Sequence, residues 1–164
     1  MPRGATKTVL SRKEEVHRLL QFEGCVSVEG ARRALGVSRT QMRYILEKLQ
    51  AEGRAVPVAV GRVALWCRDG EVAVQTLEEL AAEVRRLLCG FRFTTSSRLL
   101  RLISRDRKAS KTFSKYVLLS PKAAATMSFL NALLQAVFGQ PAMYMGSRAT
   151  PLYLVPPGCQ DAKF

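Results

Sequence analysis

The chain has 164 residues, of which 48% are apolar, enough to bury one ordinary core or two small ones and too many for disorder by composition. Lys and Arg number 26 against 13 Asp and Glu, and the resulting charge of +13 favours a polyanion as partner. No run of about 18 apolar residues is present to span a membrane, and no apolar signal core opens the chain, so a cytoplasmic protein is expected.

Several chemistries lack their residues. There is no Walker loop, no dinucleotide glycine motif and no H-E-x-x-H pair. Acidic residues do not cluster as a metal-dependent nuclease requires. The lone histidine, His17, beside Arg18, reads as incidental. Cys25, Cys67, Cys89 and Cys159 are far apart and have no Cys-x-x-Cys spacing, which argues against zinc. They are expected as buried thiols, unless the source is a hyperthermophile, where internal disulfides occur. No enzyme activity, cofactor or metal is expected.

Residues 1–10 are polar, basic and aperiodic, and read as a flexible arm. Ser11 and Glu14 have capping-box spacing, with Val16, Leu19, Leu20 and Phe22 following on one face, which predicts a helix over 11–22. Gly24 ends it. Cys25 to Val28 reads as a short strand, and Glu29 to Leu35 as a helix with Ala31, Ala34 and Leu35 inward and Arg32 and Arg33 outward. Gly36 suits the left-handed residue of a tight turn, and Ser38 the N-cap of the next helix. There Met42, Ile45, Leu46 and Leu49 follow the helical apolar spacing. Arg39, Thr40, Gln41, Arg43, Tyr44, Glu47 and Lys48 are left on the outer face, rich in side chains that read base edges and hold phosphates. Val56–Val60 and Val63–Trp66 are β-prone runs around Gly61-Arg62, a two-residue hairpin loop, and Pro57 belongs on an edge. Trp66 reads as a packing residue.

The stretch LGVSRTQMRYILEKLQAEGRA resembles bacterial and archaeal winged helix-turn-helix DNA-binding domains. Leu35-Gly36-Val37-Ser38 is similar to their inter-helix turn, and Ile45-Leu46-Leu49 with Glu52-Gly53 to the end of their recognition helix. The resemblance covers about residues 11–68. It implies that Ser38, Arg39, Thr40, Gln41, Arg43 and Tyr44 approach DNA, with Arg62 at the wing tip. Members of this superfamily also serve as protein–protein modules.

Asp69-Gly70 marks a junction, and Thr76 is placed to cap a helix over 77–88 with Leu80, Val84, Leu87 and Leu88 inward. Phe91 to Phe93 reads as a strand. A helix follows with Leu99, Leu100, Leu102 and Ile103 inside. The order of the first half is repeating, until residues 104–119 intervene as an insertion. Ser120-Pro121 then has the form of a helix start. The expected inner face of this helix is Met127, Leu130, Leu133, Leu134, Val137 and Phe138, and its outer face Lys122, Thr126, Asn131 and Gln135. A second hairpin follows, with Arg148 at its turn matching Arg62.

From Arg92 to Lys122 there are nine basic residues and one acid, Asp106, a local charge of +8. Arg105, Arg107, Lys108, Lys111 and Lys115 are the candidate phosphate contacts, with a solvated face as the alternative. Phe113 and Tyr116, three apart, suit burial better than base stacking.

The expected fold is α+β and mostly helical, two tandem winged-helix domains, each a three-helix core with a β-hairpin wing. The expected divisions are an arm over 1–10, a first domain over 11–70, and a second over 71–164. The expected function is double-stranded DNA binding by a transcriptional regulator or chromatin-associated factor, nucleoid-associated within the cell. An RNA- or ribosome-associated protein, a non-specific architectural protein and a protein–protein module with an acidic partner are the alternatives. Homodimers stay open.

Overall fold

The computed structural model describes residues 2–146 and 149–157, with the backbone alone described over 2–10. The described chain is α+β, with seven helices and two three-stranded sheets. Its contacts divide it into two compact units, Met1–Ala59 with Ala64–Thr76, and Val60–Val63 with Leu77–Phe164.

In the first unit α1 (Pro2–Glu23) is followed by β1 (Cys25–Ser27), α2 (Val28–Leu35), α3 (Arg39–Ala51) and the hairpin β2 (Val56–Val60) and β3 (Val63–Cys67). The sheet order is β1-β3-β2, with Cys25 opposite Cys67 and Ser27 opposite Leu65. Pro57 thus lies on an edge strand, where its missing N–H costs no ladder bond. Val16, Leu20, Ala31, Met42, Ile45, Leu46, Leu49 and Trp66 form one core. The four apolar positions of α3 are all buried, and Trp66 packs inside, as their spacing and type require. Gly36 caps α2 in the left-handed region at φ 67°, sending its amide to the Arg32 carbonyl. A side chain there would meet the strain glycine avoids.

In the second unit α4 (Gly70–Leu88), whose first residues group with the first unit, leads to β4 (Phe93–Thr94), α5 (Ser96–Arg105) and α6 (Arg107–Ser114). Then come α7 (Ala124–Phe138), β5 (Met143–Met145) and β6 (Thr150–Leu154), in sheet order β4-β6-β5. Leu80, Val84, Leu88, Leu99, Ile103, Phe113, Phe129, Leu130 and Leu134 are among its buried side chains. Phe113 meets Phe129 edge-to-face, centroids 6.4 Å apart. Phe113 and Tyr116 are both buried.

Several elements differ from expectation. α1 begins at Pro2 and includes the residues expected as an arm. Proline suits a first helical turn, and Arg, Lys, Ala and Leu in 3–10 are good helix formers. Ser11 is therefore inside the helix and caps nothing. Phe22 is 87% exposed, and Ala34 is also exposed. α4 starts seven residues before Leu77 because the Asp69 carboxylate accepts the Val72 amide at 2.8 Å, an earlier cap. Thr76 is buried within it, 3.3 Å from Cys25 Sγ. Residues 104–119 are not loop but mostly α6, started by Asp106 as N-cap. α7 begins at Ala124, since the Ser120 hydroxyl accepts from Lys122 two residues on, a local turn rather than a cap. Thr126, expected outside, is fully buried and donates to the Leu118 carbonyl, while Met127, Val137 and Phe138 are only half-buried. The same carbonyl accepts the Ser120 amide at 3.0 Å, so Thr126 adds a second bond there, and with Thr126 inward Phe129 also lies in the core.

Cys25 and Cys67 form a disulfide that ties β1 to β3, and Cys159 lies outside the described residues. Among the described residues no helix is long and apolar enough to cross a membrane, and no group of three His, Cys, Asp or Glu is placed to hold a metal ion.

Candidate nucleic-acid interface

The sequence-predicted residues fall into two groups. In the first unit the short turn through Gly36 and Val37 hands the chain to α3, whose start is fixed by the Ser38 hydroxyl accepting the Gln41 amide at 3.1 Å. Burial of Met42, Ile45, Leu46 and Leu49 forces the other face outward. Arg39, Thr40, Arg43, Tyr44 and Glu47 line one shallow concavity there. Ser38, Arg39, Thr40, Arg43 and Tyr44 are exposed, and Gln41 is half-buried. Tyr44 is held by Lys48, whose ammonium lies 5.4 Å from the ring centroid.

Arg39 is held by a residue that sequence reasoning left out. Its Nε donates to Glu29 on α2 at 2.7 Å, and its Nη2 pairs with the same carboxylate. Arg32 approaches that carboxylate at 3.2 Å. Burial pushes the Glu29 carboxyl up, but the hydrogen bonds and charges of the two arginines outweigh this and hold it below its ordinary value.

Arg62 is exposed at the β2–β3 turn, whose residues group with the second unit. Arg148 lies outside the described residues.

The second group lies on α5 and α6. Arg105, Arg107, Lys108, Lys111 and Lys115 are all exposed. Arg107, Lys111 and Lys115 recur every four residues and so line one side of α6. Arg98 and Arg101, expected on the outer face of this helix, share a side of α5 with Arg105 by their i, i+3, i+7 spacing. Arg98 is partly spent: its guanidinium lies 5.2 Å from the Phe91 ring and donates to the Phe93 carbonyl at 3.1 Å.

Lys108 differs from its neighbours. It pairs at 3.3 Å with Glu83 of α4, a side chain only 10% exposed. Glu83 also binds Arg86, which forks onto Asp106 at 3.0 and 3.1 Å. This four-residue chain braces α4 to the start of α6. The Arg86 bonds and the Ala109 amide bring the Asp106 carboxyl down to about 2, and Asp106 with Glu83 raises Arg86. Lys108 therefore has a structural partner. Arg101, Arg105, Arg107, Lys111 and Lys115 have no acidic partner among the described residues. Arg107 and Lys108 also occupy a helix N-terminus, which disfavours cations, and Asp106 offsets them.

α7 carries no charged residue. It offers little to a phosphate.

A crystal structure of the hypothetical protein PyrSV_gp04 from Pyrobaculum spherical virus matches with a TM-score of 0.83 and 31% identity, over 91% of this chain and 96% of that one. The chain belongs to the family of that viral protein. The model of the PSV transcriptional regulator domain matches residues 74–151, which contain β4, α5, α6, α7 and β5 whole. None of the curated proteins matches. In this chain, the segment similar to a regulator domain is thus the one bearing the α5 and α6 cations.

Proposed function

We propose that the chain is a transcriptional regulator that binds double-stranded DNA through two winged-helix domains. The division between them falls near residues 70–75, as expected from the sequence, and α1 brings the residues expected as an arm into the first domain. α1, α2 and α3 with the β2–β3 wing make the first, and α4, α5 and α7 with the β5–β6 wing make the second, α6 being added between its last two helices. In this reading α3 enters the major groove, where Arg39, Gln41 and Arg43 read base edges and Ser38, Thr40 and Tyr44 approach the strand. Arg62 and Arg148 are the wing contacts. Arg105, Arg107, Lys111 and Lys115 hold phosphates, and Lys108 contributes less because Glu83 partly neutralises it.

The observation that carries the proposal is the face of α3. A capped helix follows a left-handed glycine turn, buries its four apolar residues and leaves Arg39, Thr40, Arg43 and Tyr44 exposed together. The match to a transcriptional regulator domain supports the role.

The test is a competition titration of random duplex DNA, single-stranded DNA and structured RNA at about 50 and 200 mM salt. Preference for the duplex, with affinity falling steeply between the two salts, is expected. Preference for RNA would replace the reading with an RNA-associated one. Absence of binding to all three would assign the positive charge to an acidic protein partner.

A further inference from the structure

An arginine has five N–H donors in a rigid fork, and which of its edges is free decides what it recognises. In Arg39 the Nε–Nη2 edge is filled by Glu29. The end-on pair, one N–H from each terminal nitrogen, is left. That pair matches the O6 and N7 acceptors of guanine in the major groove. A mobile arginine on a helix N-terminal turn would otherwise settle on whichever phosphate is nearest. Glu29 opposes this twice. It restrains the guanidinium from α2, and its own negative charge repels phosphate oxygens nearby. Arg32, on the same carboxylate at 3.2 Å, keeps Glu29 ionised and in place.

We propose that Glu29 is a positioning residue that converts Arg39 from a phosphate contact into a reader of guanine. The proposal rests on the reading of α3 as the helix that meets the bases. It makes α2 part of the specificity device, although α2 itself touches no base.

The experiment starts from duplexes selected by the full-length protein out of a random pool. The selectivity ratio, selected over random duplex, is then measured for wild type, Glu29→Gln, Glu29→Asp, Arg39→Ala and the Glu29→Gln/Arg39→Ala double variant, each checked for unchanged thermal unfolding. Glu29→Gln keeps the size of the side chain and removes its charge. It is expected to cut selectivity about tenfold, the worth of one bidentate base contact. Affinity for random duplex is expected to rise, with a salt slope steeper by about 0.9, one added phosphate contact. Glu29→Asp is expected to restore part of the selectivity. The double variant is expected to lose no more selectivity than Arg39→Ala alone. A merely structural role would lower stability or all affinities together and would leave the salt slope unchanged.

Full selectivity in Glu29→Gln, with Arg39→Ala still defective, overturns the positioning role and leaves the reading of α3 standing. Arg39→Ala without effect, or a wild type that selects no duplex, overturns both.

Discussion

Asp106 does two jobs with one carboxylate. It accepts the Ala109 amide as N-cap of α6, and it receives the Arg86 fork. Its folded value, about 2, lies below the ordinary 3.8. A depressed carboxyl contributes stability above its unfolded value and loses it as pH falls through its folded value. Asp106 is therefore expected to stabilise α6 fully above about pH 4 and to stop doing so near pH 2. Asn caps nearly as well as Asp, so Asp106→Asn removes the charge and keeps the cap. The variant should melt below wild type at neutral pH, and the gap should close as pH falls towards 2. A gap of constant size in thermal melts over that range would show that the ion pair with Arg86 adds nothing.

Two elements differ in how far local residues decide them, and the contrast explains what the sequence disclosed. α3 was legible because its signals are local and agree: Gly36, Ser38 and an apolar spacing whose four positions are all buried. The outward face of α3, and hence its candidate site, followed. The starts of α4 and α7 were not legible. The first turns on Asp69 capping earlier than Thr76, and the second on Ser120 closing a local turn with Lys122, while the facing of α7 follows Thr126, which donates to a carbonyl eight residues back. The pairing of Glu29 with Arg39, and of Glu83 with Lys108, joins residues brought together only by packing. The disulfide belongs here too, because 42 residues separate its cysteines and no spacing motif announces it.

Its consequence at this scale is testable. Closing a loop of that length removes unfolded-chain entropy worth about 4 kcal/mol in the chain-entropy account. Cys25→Ala/Cys67→Ala, or reductant on the wild type, should lower the denaturant midpoint by a comparable stability. An unchanged midpoint would mean the bridge is absent in solution or its loop already restricted. Thr126→Val tests the other hidden contact. It keeps the shape of the side chain and removes one of the two hydrogen bonds that the Leu118 carbonyl accepts, the Ser120 amide keeping the other, at an expected cost of about 1 kcal/mol in urea unfolding.

Over the whole molecule, charge and specificity are expected to separate by helix. The α5 and α6 cations project from a surface with few acids, and phosphates are the same for every sequence. Arg107→Ala/Lys111→Ala should therefore weaken selected and random duplexes by one common factor. The slope of log affinity against log salt should become shallower by about 1.8, two phosphate contacts of about 0.9 each. Arg39→Ala/Arg43→Ala should instead narrow the gap between selected and random duplex while leaving most of the random-duplex affinity. Lys108→Ala is the internal control. Its ammonium already serves Glu83, so it should shift the slope less than Lys111→Ala and lower thermal stability more. Equal slopes for these two single variants would mean that Glu83 releases Lys108 when DNA is present, and the whole α6 face would then count as contact surface. Loss of selectivity in the α6 pair, with none in the α3 pair, would exchange the roles of the two helices and move base reading to the segment that matches the regulator domain.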